Sequence, residues 1–112
     1  MRFDFATAGR ILFGPGVLRE AAPAAAALGR RALVVTGSAR ERAAPLVSAL
    51  EGCGVACLPF GVTGEPTIEA IRQGTEAARG ERCDMVVAMG GGSALDAGKA
   101  LAAMLANPGE PL

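Results

Sequence analysis

The chain has 112 residues, 51% of them hydrophobic, and its 11 basic and 11 acidic side chains balance to zero. That length allows one domain, and neutral charge without basic runs argues against a nucleic-acid partner, which calls for clustered Lys and Arg. No apolar run approaches the ~18 residues of a membrane helix, and MRFDFATAGR lacks the apolar core of a secretory signal, so the chain is read as soluble and cytoplasmic.

In chain order, RFDF (2–5) and RILFG (10–14) read as two short strands. PGVLREAAPAAAALG (15–29) reads as a helix disturbed at Pro23. RALVVT (31–36), GVACLPF (54–60) and DMVVAM (84–89) are short apolar runs closed by glycine, which suits strands buried on both faces of a parallel sheet. Between them, 39–51 puts Ala43, Leu46, Val47 and Leu50 on one helical face, with Pro45 in the first turns. Residues 66–79 open on Pro66 as first helical residue and repeat the pattern through Ile68, Ile71 and Ala78. Residues 93–106 form the last and longest helix. Alternating strands and helices predict an α/β fold, a parallel sheet with helices on its faces. Its ligand crevice lies beyond the carboxyl ends of the strands, where Gly37-Ser38, Gly61 and Gly90–Ser93 fall.

Three cysteines, Cys53, Cys57 and Cys83, with no histidine do not make a zinc site, and they read as small buried hydrophobes in a reducing compartment. The chemistry concentrates in MVVAMGGGSALDAGKA (85–100). It is not G-x-G-x-x-G, because Leu95 stands at the third glycine position. It is not a P-loop either, because Gly98-Lys99 comes one residue late and Ala100 replaces the hydroxyl. Still, Gly90, Gly91 and Gly92 let a ligand approach the backbone, and Ser93 opens a helix whose positive end favours phosphate. The bland alternative is a tight turn whose glycines serve only packing. Asp96 also has two readings, since Ser93-x-x-Asp96 matches a capping box. Lys99, the chain's single lysine, lies three residues further on the same face, within reach of Asp96. Gly98 costs ~1 kcal/mol in a helix relative to Ala, so sheet or ligand packs closely against it.

GGGSALDAGKA resembles the GGGS-x-x-D-x-x-K signature of the iron-containing (group III) alcohol dehydrogenase family. RILFGPG (10–16), ALVVTG (32–37) and GEPTIEAI (64–71) resemble further family segments in order and spacing. The resemblance implies a Rossmann-like parallel sheet with flanking helices, the dehydroquinate synthase-like N-terminal domain. It makes residues 1–112 one dinucleotide-binding α/β domain, with Gly37, Ser38, Gly90, Gly91, Gly92, Ser93, Asp96 and Lys99 as cofactor-binding residues. The cofactor is NADP or NAD. Gly37 stands where NAD-preferring relatives often carry Asp, and Arg40 or Arg42 can pair with a 2′-phosphate, so NADP is favoured. The divalent metal of the family, Fe and in some members Zn, belongs to a helical C-terminal metal domain that these residues do not contain. The chain is therefore expected to be the N-terminal part of a longer enzyme, with no catalytic residue or metal ligand of its own. The implied activity is hydride transfer between a nicotinamide cofactor and an alcohol, aldehyde or ketone, compatible with a homo-oligomer. Alternatives are an enzyme like maleylacetate reductase or glycerol-1-phosphate dehydrogenase, or a non-catalytic dinucleotide-binding module.

Overall fold

Apolar side chains divide the described residues into five strands and four helices. The strands are β1 (Arg2–Thr7), β2 (Arg10–Pro15), β3 (Arg31–Thr36), β4 (Ala56–Gly61) and β5 (Met85–Met89). The helices are α1 (Leu18–Leu28), α2 (Ala44–Gly52), α3 (Ile68–Gly80) and α4 (Gly92–Ala106), and a 3₁₀ turn at Arg40–Ala43 leads into α2. The computed structural model describes residues 2–7, 10–15, 18–37 and 40–106, with side chains from Ala22 onward except those of Arg40 and Arg42.

The strands form one sheet in the order β2-β1-β5-β3-β4. β3 pairs in parallel with β4 and with β5, giving the α/β fold that the alternating pattern predicts. β1 and β2 form an antiparallel hairpin, and β1 joins the parallel core by pairing antiparallel with β5. Each expected element is present, and α1 runs through Pro23 without ending there.

Two apolar layers hold the sheet. On one face Ala22 and Ala25 of α1 and Leu46 and Leu50 of α2 pack on Ala32, Val34, Met85, Val87 and Met89. On the other, Ile71 and Ala78 of α3 and Leu95, Ala97 and Leu101 of α4 pack on Leu33, Val35, Val86 and Ala88. The alternation of β3 and β5 between layers is the period of two in a doubly covered strand. Burying each large aliphatic side chain is worth about 1.5–3 kcal/mol. Arg79, in the last turn of α3, donates to the Met104 carbonyl at 3.0 Å and ties the carboxyl ends of α3 and α4.

Four expectations need correction. GVACLPF is not buried on both faces. β4 is an edge strand with Ala56, Pro59 and Gly61 exposed, and a proline without an N–H is tolerated there because one side of the strand has no ladder to complete. Pro66 is not the first helical residue of α3. Thr67 caps that helix, its hydroxyl accepting the Ala70 N–H at 3.0 Å. Ile68 therefore falls in the first turn and is 67% exposed, while Ile71, Gly74, Thr75 and Ala78 make the buried face. The cysteines are not all buried: Cys53 is exposed, and Cys57 and Cys83 are partly buried.

Candidate functional site

Because β3, β4 and β5 run in parallel, Gly37, Gly61 and Gly90 arrive at one edge of the sheet. The connections there diverge. From β3 the chain passes to α2 on one face, and from the adjacent β5 it passes to α4 on the other. Neighbouring strands whose helices leave to opposite faces open a crevice at their carboxyl ends, the usual ligand site of such sheets. The two turns abut, since a Cβ on Gly90 would lie 3.6 Å from the Gly37 nitrogen. Gly90 has φ of +138°, a conformation that favours glycine.

The next two glycines have a different character. A Cβ on Gly91 or Gly92 would meet none of the described residues within 4 Å, and neither has positive φ. Neither packing nor backbone strain calls for glycine at these two positions, so the purely structural reading of the triplet holds for Gly90 alone. Helix register matters equally. The Gly91 carbonyl accepts the Leu95 N–H at 3.1 Å, which makes Gly91 the capping residue and Ser93 a residue of the first turn. The N–H groups of Gly92, Ser93 and Ala94 have no acceptor among the described residues, and they stand at the positive end of a 15-residue helix that starts beside the crevice.

That register also decides between the readings of Asp96. It lies beyond the first turn, which holds no acidic residue, so no capping box forms with Ser93. Gly92, Asp96, Lys99 and Ala103 instead form an exposed stripe at i, i+4, i+7 and i+11. Asp96 follows Gly91 by ~7 Å along the helix axis and Lys99 by ~12 Å, at 1.5 Å per residue. The stripe thus leads from the open glycine turn down the outer face of α4. Gly98 lies on the opposite face, where an added Cβ would come within 2.6 Å of the Ala88 Cβ. It is the sheet that packs against Gly98, and its glycine brings the helix down onto β5. Ser38 lies outside the described residues, as do the side chains of Arg40 and Arg42.

The amino edge of the same sheet is differently made. The Asp84 carboxylate accepts the backbone N–H of Arg30, at 3.1 Å to each oxygen, and that of Arg31 at 3.0 Å. The Arg31 guanidinium donates to the Glu81 carbonyl at 3.1 Å. A Cβ on Gly29 would run into the Asp84 carboxylate, so glycine there makes room for the clamp. Burial, with help from the nearby Glu51 and Cys83, pushes the Cys57 thiol up to about 11. Burial also raises that of Cys83, with Asp84 and Glu81 adding and Arg31 opposing. Neither has the lowered pKa of a nucleophilic cysteine. They pack on opposite faces of the sheet. No group of three or more His, Cys, Asp or Glu among the described residues could hold a metal ion. No helix of the described residues is long and apolar enough to cross a membrane.

A model of the iron-containing alcohol dehydrogenase family matches residues 8–112. The chain belongs to that family. It is 32% identical over 114 residues to sulfoacetaldehyde reductase of Bilophila wadsworthia, covering 97% of this chain and 30% of that protein. It is 38% identical over 104 residues to alcohol dehydrogenase 4 of Schizosaccharomyces pombe, covering 88% and 25%. It is 30% identical over 111 residues to NADH-dependent butanol dehydrogenase A of Clostridium acetobutylicum, covering 92% and 28%. The chain thus spans under a third of the length of each of these relatives, all dehydrogenases or reductases, and the family is one of oxidoreductases.

Proposed function

We propose that this chain supplies the nicotinamide-dinucleotide site of a family oxidoreductase that interconverts an alcohol with an aldehyde or ketone. One observation carries the reading: glycine at 91 and 92 serves neither packing nor backbone conformation, yet lies over three N–H groups without acceptors at a helix N-terminus. Such a surface suits a diphosphate, whose oxygens need donors at backbone distance. Gly91, Gly92 and Ser93 hold the diphosphate, Gly90 and Gly37 floor the crevice, and Asp96 and Lys99 line its path down α4. A bound nicotinamide supplies hydride chemistry, and the residues of this chain bind and orient it. In this reading metal and substrate are held by other residues of the enzyme, as family membership implies.

Glycine at 37, whose Cβ position meets none of the described residues, supports NADP over NAD. With no carboxylate there, a 2′-phosphate meets no like charge, and the turn carrying Arg40 and Arg42 begins three residues on. Titration calorimetry of the chain with NADPH and with NADH tests both statements. Micromolar binding, tighter for NADPH, is the expected result. Tighter binding of NADH sinks the NADP preference alone, and binding of neither sinks the proposal.

A further inference from the structure

We propose that Thr36 is a ribose-binding residue, its hydroxyl holding an oxygen of the adenosine ribose at the β3 side of the crevice. The inference rests on the dinucleotide reading above. Among the described residues two polar side chains are buried, Thr36 at 5% exposure and Thr75 at 3%. Thr75 is internally satisfied, its hydroxyl donating to the Ile71 carbonyl one turn back at 2.8 Å. Thr36 is not. Its carbonyl accepts the Val62 N–H at 2.8 Å, but its hydroxyl has no hydrogen-bond partner among the described residues. A buried hydroxyl without a partner carries its full desolvation penalty, and native proteins seldom leave one in place. Packing gives no reason for it either, since the four residues before it, Ala32, Leu33, Val34 and Val35, are apolar and fully buried.

Its position supplies the reason. Thr36 is the last residue of β3, paired with Met89 and Gly61 at the carboxyl edge. Alternation puts its side chain on the face of Val34, beneath the α2 layer and across the sheet from α4. The crevice therefore has two unlike walls. The α4 wall offers N–H groups for the diphosphate, and the β3 wall offers one hydroxyl. A dinucleotide laid across such a switch point puts its diphosphate on the helix terminus and a ribose at the neighbouring strand end. Gly37 opens the way, because none of the described residues occupies the space its side chain would fill. A hydroxyl both donates and accepts, which matches a ribose hydroxyl. Being neutral, it does not repel a 2′-phosphate as a carboxylate does.

The test pairs calorimetry with thermal melts of the free protein for wild type, Thr36→Val and Thr36→Ser, using NADPH and NADH as ligands. Valine keeps the shape and removes the hydroxyl, and serine keeps the hydroxyl. Thr36→Val is expected to bind the preferred dinucleotide about three- to tenfold more weakly. Its free form should melt at or above wild type, and Thr36→Ser should bind like wild type. Unchanged affinity of Thr36→Val overturns the assignment and leaves the dinucleotide reading standing. A clearly lowered melting temperature of free Thr36→Val means that the hydroxyl is used internally, and overturns it as well. Failure of wild type to bind either ligand overturns the parent reading, and this one with it.

Discussion

The two edges of the parallel sheet are built from similar materials to opposite ends. At the amino edge a glycine, an aspartate and two arginines close on one another. Gly29 makes room for Asp84, Asp84 takes the N–H groups of Arg30 and Arg31, and Arg31 reaches the Glu81 carbonyl. At the carboxyl edge, among the described residues, Gly37, Gly91 and Gly92 make room for nothing, the first N–H groups of α4 lack acceptors, and a buried hydroxyl is left over. A backbone donor tied to a carboxylate stabilises the fold, while an untied one is available to a ligand. On the proposed function, one edge serves stability and the other serves binding.

Asp84→Ala should show the largest effect if that division holds. It frees two backbone donors and removes charge-assisted hydrogen bonds, discounted because the site is exposed, for an expected loss of about 2 kcal/mol in urea unfolding. Dinucleotide affinity should not change, and a parallel loss of binding would break the comparison. Gly91→Ala should do the reverse. Its Cβ enters empty space, so the melting temperature should stay within a degree or two, while affinity falls about tenfold as the methyl blocks the diphosphate's approach, a change near 1.4 kcal/mol. A stable variant with full affinity would remove the main support for the site. The smallest effect on stability is expected for Asp96→Asn. Lying beyond the first turn, Asp96 caps nothing, so the change should stay within about 0.5 kcal/mol. A drop of 1 kcal/mol or more in chemical denaturation would restore the capping reading.

The parallel core was legible because doubly buried strands advertise themselves. RALVVT and DMVVAM are β-branched or aliphatic almost throughout, and all of β5 and all but the first residue of β3 are buried. GVACLPF looks alike in composition yet forms an edge, and the signal against it was Pro59, which cannot serve a ladder on both sides. The start of α4 was harder to read. Three glycines and a serine contain no register, and only the Leu95-to-Gly91 hydrogen bond fixes which residue caps. The capping-box reading of Asp96 failed by that two-residue shift. Gly98 was ambiguous between sheet and ligand until the 2.6 Å approach of Ala88 decided for the sheet. In sequence Thr36 reads only as the tail of an apolar strand. Its spelling hints at more, a hydroxyl where valine would serve, but only burial without a partner among the described residues exposes it. The crevice itself depends on β5 inserting between β1 and β3, which no local pattern encodes.

Pro59 has a last consequence, for association between chains. The inward donors of β4 alternate from Ala56, bonded to the Arg30 carbonyl, to Val62, bonded to that of Thr36. The outward donors therefore belong to residues 57, 59 and 61, and the middle one is a proline with no hydrogen to give. A foreign strand laid along this edge would find its central rung missing. A sheet this rich in valine and leucine would otherwise offer a template for edge-to-edge aggregation, and a single ring closure at residue 59 guards that side.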